Sequence, residues 1–310
     1  MNEVEYWKNF NLGDELQIAG VFIYNGLRRF NRMRALNHSD EIFEVLYDLS
    51  VGLERILKIA VVFVEHDGDR DQHEFELSLH SHNHNELLAR LKKKETIGLG
   101  DQHAGLLGLL ETFYSDFRYG RFSLSSVPDL ARERDALYRF FNHQLGTELR
   151  DSDSMFITGN EPLYRKHLTT LVLTIAQTLF ELISEKARQL NLYTFELRYD
   201  SKAAKVFRRP IRELFLLEEI TWKELLIFLM NSEEETEALK FLRSIEPLDI
   251  DPEMVTEYLE SFCLGEPTGA AMDEIDSLYE SLPKSGERIK LMELVANPAV
   301  DFSRDDDGFG

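Results

Sequence analysis

Six of the nine histidines, His66, His73, His80, His82, His84 and His103, fall within 38 residues, with Asp67, Asp69 and Asp71 among them. Neutral imidazole is the commonest metal ligand, and carboxylates complete many metal sites. The spacing does not follow that chemistry. His80, His82 and His84 alternate, so they share a side only in an extended segment, and the i,i+3 or i,i+4 spacing of a helical metal site is missing. The three aspartates repeat the opening of an EF-hand loop, but Gln72 stands where glycine is required and Ser78 where the bidentate glutamate is required. Calcium is therefore rejected. Gly98, Gly100, Gly105 and Gly108 form no GxGxxG, and no Gly-Lys-Ser/Thr phosphate loop follows them. GxSxG and HExxH are absent, and Cys263 has no histidine near it in sequence, so nucleophilic catalysis has no support. No metal and no cofactor are expected.

A different signal lies at 118–122, where Arg118, Tyr119, Gly120, Arg121 and Phe122 place two cations and two aromatics together. Arg118 and Arg121 could hold a phosphate while Tyr119 stacks a base, which makes these three the candidate RNA-binding residues. The competing reading is a helix C-terminus in which arginine offsets the dipole, Gly120 stops the helix and the rings pack inward. Arg28, Arg29, Arg32 and Arg34 would join Arg132, Arg134 and Arg139 in a basic face if their helices were neighbours.

Charge limits how such a patch can act. The formal net charge is −21; residues 211–310 hold 25 acidic and 8 basic side chains, a net of −17, and residues 1–210 hold 31 and 27, a net of −4. Bulk charge of this sign repels nucleic acid, so RNA contact requires a local Arg patch. The acidic third could face a basic protein partner or the chain's own Arg-rich surface; solubility alone is the simpler role. With 43% hydrophobic residues and 21 Phe among 310 residues, the chain can bury a sizeable core, as one large helical domain with an appendage. A single cysteine excludes an internal disulfide framework and a cysteine-rich zinc site, and fits a reducing cytoplasm. MNEVEYWKNF lacks the form of a signal peptide, and LTTLVLTIAQTLF is too short and too hydroxylated to span a bilayer. A soluble cytoplasmic protein without membrane contact is expected.

The elements that must position these residues read as nearly all-α. Ile42, Leu46, Leu49, Leu53, Ile56, Ala60 and Val64 form a sustained core stripe on a helix opened by Ser39 or Asp40, with Glu54 and Lys58 as an i,i+4 pair. A polar loop over 65–82 leads to Asn83 and Glu86, a capping box for a helix over 84–94. Helices follow through Leu106 to Arg118, from Ser125 to a stop at Gly146, and from about Pro162 to Leu190. A small β-hairpin competes over 193–208. Farther on, Thr221 with Glu224 and Ser232 with Glu235 fit capping boxes, and Asp251-Pro252 fits an N-cap followed by proline. The expected organisation is an antiparallel helical bundle over 1–190, a hairpin or linker over 191–210, an acidic helical region over 211–300, and a disordered tail over 301–310.

The phrases SVGLERILKIAVVF, then a polar loop, then HNHNELLARL, then LLETFYSDFRYGRF resemble the HEPN superfamily, over roughly residues 20–190. The resemblance implies a small helical bundle. Its members are often RNA-cleaving toxins or defence effectors, and others are non-catalytic nucleotide- or RNA-associated modules. The cleaving members carry Arg, four to six residues, then His, so that imidazole takes the 2′-hydroxyl proton while guanidinium steadies the phosphorane. Here Arg32 and His38 have five residues between them, with Met33 directly after the arginine. Arg139 and His143 have three between them, one short, although i,i+4 spacing puts them on one helix face. These two pairs are the candidate catalytic residues, and the resemblance implies a homodimer with its cleft across a two-fold axis.

Two functions follow. The first is a HEPN-like protein of prokaryotic defence or stress response that binds RNA or a partner and extends to a divergent, metal-independent endoribonuclease. It predicts that Arg118, Arg121, Arg139 and His143 converge on one cleft. The second is a non-enzymatic adaptor whose acidic C-terminal helices bind a basic partner or mask the Arg-rich N-terminal face.

Overall fold

The structure, a computed structural model, describes residues 2–67, 71–120, 122, 124, 131–150, 158–192, 201–210, 215–297 and 299–300. It is all-α: among the described residues the one β-type pairing is an isolated antiparallel bridge between Ala35 and Gly159. The chain divides into two compact units, Met1–Phe215 and Leu216–Gly310.

The first unit begins with α1 (Glu3–Tyr6), whose Asn2 and Glu5 close a capping box, and a π-helical turn over Trp7–Asn11. The helices α2 (Leu12–Arg32) and α3 (Ser39–Glu65) then form the central antiparallel pair. Its register is fixed at both ends by charge, with Glu15 on Arg55 and Arg29 Nη1 2.6 Å from Glu44. Between these ion pairs the backbones touch closely. A Cβ added at Gly52 would lie 2.7 Å from Ile23 Cγ1 and 3.0 Å from the Ala19 carbonyl oxygen, so the helices can approach only because that side chain is absent. Overpacking a core contact costs about 1–3 kcal/mol. Gly52→Val is therefore expected to lower the unfolding free energy by that amount, read from denaturant unfolding, and an unchanged midpoint would contradict this register.

Helix α4 (Gln72–Ser78) occupies the stretch expected to be a polar loop, capped by Asp71, whose side chain accepts from Glu74 N at 2.8 Å. The aspartate that mimicked a calcium ligand is a helix cap, and Phe75 is the fully buried anchor of the turn. Helix α5 (His84–Lys92) starts at Asn83 as expected, its side chain accepting from Glu86 N at 2.7 Å. Glu86 turns away from the reciprocal bond and accepts from Ser81 Oγ at 3.0 Å. Next come α6 (Asp101–Thr112), a second π-helical turn over Phe113–Phe117, α7 (Arg118–Gly120) and α8 (Arg132–Leu145). Gly146 closes α8 in the left-handed conformation, φ 66°. The start of α8 expected at 125–128 lies outside the described residues.

Helix α9 (Pro162–Gln189) runs through the core. Among the described residues it alone is long and apolar enough to cross a membrane, contrary to the reading of its apolar run, and half of that window is buried inside the bundle. Ahead of it, buried Asn160 donates to the carbonyls of Phe30 at 2.6 Å and Met33 at 3.2 Å, satisfying the end of α2. Helix α10 (Lys202–Arg208) closes the unit against α2 and α9, with Phe207 stacked on Phe180 at 5.1 Å. It corrects the hairpin: Ala203, Ala204, Val206 and Phe207 are buried at helical spacing, and Ser201 caps them by accepting from Ala204 N. Small residues win here because Gly20 of α2 lies directly under Ala203. The first half of the expected hairpin, 193–200, lies outside the described residues.

The second unit contains α11 (Leu216–Asn231), α12 (Glu237–Ser244), a 3-10 turn over Pro252–Met254, α13 (Val255–Leu264), α14 (Gly269–Ser281) and α15 (Ser285–Met292). Asp251 caps its turn as expected, accepting from Glu253 N at 2.9 Å. The other two caps do not form as read. Thr221 lies inside α11 and donates to the Leu217 carbonyl, and α12 is capped by Thr236 rather than Ser232. Trp222 meets Phe262 edge-on at 5.8 Å, joining α11 to α13. The 301–310 tail lies outside the described residues.

Candidate nucleic-acid interface

The chemistry concentrates where α3, α5 and the π-turn before α7 meet. Glu54 stands on α3 beside the buried stripe and is only 8% exposed. Burial alone would raise its pKa, but the hydrogen bond and charge of Lys58, and then those of His82, outweigh it and hold the carboxyl below its ordinary value. Lys58 Nζ lies 2.7 Å from Oε1, and His82 Nδ1 lies 3.1 Å from both carboxylate oxygens. An ionised carboxylate can only accept, so in this contact His82 donates from Nδ1, and Nε2 is the ring nitrogen left for other partners. His82 is half exposed, in the extended residues just before the Asn83 cap.

Its ring lies against Tyr114, with centroids 4.9 Å apart. Tyr114 belongs to the π-helical turn, whose wider winding re-aims the side chains that follow. The Arg118 guanidinium sits 3.9 Å from the Tyr114 ring centre and 4.3 Å from that of Tyr119, and its Nη2 donates to the Tyr119 hydroxyl at 2.7 Å. Its Nε is buried with no hydrogen-bond partner. Tyr119 is 60% exposed. Imidazole and guanidinium thus share one aromatic ring, and a carboxylate orients the imidazole. Glu54 and Tyr114 also line a cavity of about 280 Å³ with Trp7, Arg55 and Lys58.

A second hollow of about 390 Å³ is walled by Phe117, Arg132, Asp135, Tyr138, Arg139 and Asn142. It borders α7, because a Cβ on Gly120 would lie 2.8 Å from Arg132 Nη1. Arg139 lines this hollow with Arg132, whose guanidinium reaches α7 at Gly120, and its Nε lies 3.3 Å from the Asp135 carbonyl. His143 is exposed one turn farther along α8 and is not part of that wall. Arg32 ends α2 and His38 directly precedes α3 without a side-chain capping bond, so a reversal of the chain separates them and they share no helix face. Arg121 lies outside the described residues.

The remaining histidines are dispersed. Among the described residues no group of three or more His, Cys, Asp and Glu could hold a metal ion. His66 packs between Trp7 and Phe75, and fully buried His84 donates from Nε2 to the Ser50 carbonyl at 3.0 Å. Burial pushes the His84 pKa below its ordinary value near 6.5, against opposing contributions from Ser50, Glu54 and Glu111. Burial moves His103 and His167 the same way. The folded state therefore refuses protons that the unfolded chain accepts below about pH 6.5. Thermal stability is expected to be full above pH 7 and to fall toward pH 5, with His84→Gln flattening that dependence. A melting temperature that rises over the same interval would contradict the assignment.

Sequence reasoning missed the pairing of His82 with Glu54, which lie 28 residues apart. A signal was present: Glu54 adjoins Leu53 of the buried stripe, and a carboxylate there requires partners. No family model, no curated protein and no solved structure matches the chain.

Proposed function

We propose that the first unit is a HEPN-like RNA-binding module that cleaves single-stranded RNA without a metal, using the surface around Tyr114. The observation that carries this reading is the shared ring: His82, oriented by buried Glu54, and Arg118 both lie against Tyr114. In this reading His82 Nε2 takes the proton of a ribose 2′-hydroxyl, and the resulting oxygen attacks the adjacent phosphorus. Arg118 offsets the charge that grows on the phosphorane, and Glu54 offsets the charge that grows on the imidazole. The 5′-oxygen leaves with a proton from water, giving a 2′,3′-cyclic phosphate and a 5′-hydroxyl. The cleft of Arg132, Arg139 and Phe117 extends the contact to neighbouring nucleotides by phosphate pairing and stacking. This assignment uses the chemistry the resemblance implies but places it on His82 and Arg118 rather than on Arg139 and His143 or Arg32 and His38.

The test is a fluorescent single-stranded RNA incubated with the full chain in excess chelator. Expected are binding that weakens as salt rises and products ending in a cyclic phosphate. Binding with no cleavage would reduce the reading to an RNA-binding module, and no binding at low salt would remove it.

A further inference from the structure

In the second unit α11 has no buried residue at all, although most of its length is apolar. Trp222 touches Phe262 of α13, but Met230 is 76% exposed, Ile227 55% and Phe228 51%, with Leu225 and Leu229 also exposed. The second unit's own helices leave this surface uncovered. A 16-residue helix is roughly 24 Å long. Leu216, Ile220, Ile227 and Met230 recur at helical spacing on the side away from Trp222, and all four are exposed, which makes one apolar stripe along the helix.

The charge around it selects the occupant. Residues 216–310 carry 24 acidic and 7 basic side chains, a net of −17. Glu218, Glu219 and Glu224 lie on α11 itself, and Glu257 and Glu260 lie on α13, which packs against it. A second copy would bring the same acidic unit to the same helix, and an anionic lipid surface would be repelled likewise. A cationic amphipathic helix satisfies both terms, since its apolar stripe covers α11 while its Lys and Arg flanks meet the glutamates.

We infer that α11 is the docking surface for a basic amphipathic helix of a protein partner. The docking surface is independent of the RNA site, and either can fail without the other. The experiment titrates the full chain with two synthetic 18-residue helical peptides sharing one leucine stripe, with lysine flanks in one and glutamate flanks in the other. The Leu/Lys peptide is expected to bind at micromolar concentration and to weaken at least tenfold between 50 and 500 mM salt. Ile227→Asp and Met230→Asp, made singly at these exposed positions, are each expected to reduce that affinity at least tenfold with the helical signal unchanged. Replacing Glu218, Glu219 and Glu224 with glutamine is expected to reduce both affinity and salt dependence. Equal binding of the Leu/Glu peptide, or undiminished binding by both aspartate variants, would overturn the inference. So would self-association of the chain that either aspartate variant abolishes, because the occupant would then be a second copy.

Discussion

Replacing His82 with alanine is expected to slow RNA cleavage about a hundred- to ten-thousand-fold, the contribution of a positioned general base. Affinity for RNA should change little, because the reading assigns the phosphate contacts to Arg118 and Arg139 rather than to His82. Glu54→Gln should reproduce part of the loss through kcat with KM held. The amide keeps the shape but removes the charge that fixes the Nδ1 proton and offsets the imidazolium. Arg118→Ala should cost about a hundred- to a thousand-fold in rate and weaken binding as well, since guanidinium acts on both ground state and transition state. His143→Ala should leave the rate unchanged, because that ring is exposed outside the cleft wall. The contrast between the two histidines separates a site built by tertiary contact from one read off local spacing.

The second large effect is on stability. Phe141→Ala is expected to cost about 3–5 kcal/mol, read from denaturant unfolding. The ring is fully buried on α8 and meets Tyr164 of α9 at 4.9 Å and Phe30 of α2 at 6.1 Å. Removing it leaves a cavity where three helices join. Tyr138 of the same helix donates to the Leu36 carbonyl at 3.0 Å and lines the cleft, so the loss should also loosen the Arg132 and Arg139 wall. Arg139→Ala, an exposed change on the opposite face, should alter stability by less than about 0.5 kcal/mol. A small cost at Phe141 would mean that α8 does not pack as described.

Much of the helical framework is legible in local chemistry. The stripe from Ile42 to Val64 is buried along α3 apart from half-covered Val64, and Asn83, Gly146 and Asp251 perform the capping roles their types and neighbours imply. Local patterns fail where tertiary packing decides. Thr221 and Glu224 satisfy a capping pattern, yet the apolar residues before them extend α11 back to Leu216 and leave the threonine mid-helix. Within 202–208 helix wins over strand because α10 lays Ala203 on Gly20. Asp71 serves a different role from the one its spacing imitates, capping α4 within a stretch whose polarity masked the helix. The candidate site is least legible of all. Its members lie at 54, 82, 114 and 118 on separate elements, and no periodicity links a carboxylate on a core stripe to an imidazole before a helix cap. The Arg118 and Tyr119 contact, by contrast, is a near-neighbour pair and shows in the sequence.

The most direct test of a metal-independent transesterification at His82 uses a DNA strand carrying a single internal ribonucleotide, incubated with the full chain in chelator. The account predicts cutting only at that ribonucleotide, with a 2′,3′-cyclic phosphate on the upstream product, lost in His82→Ala and retained in His143→Ala. Cleavage undiminished in His82→Ala, or cutting of the all-deoxy strand, would contradict it.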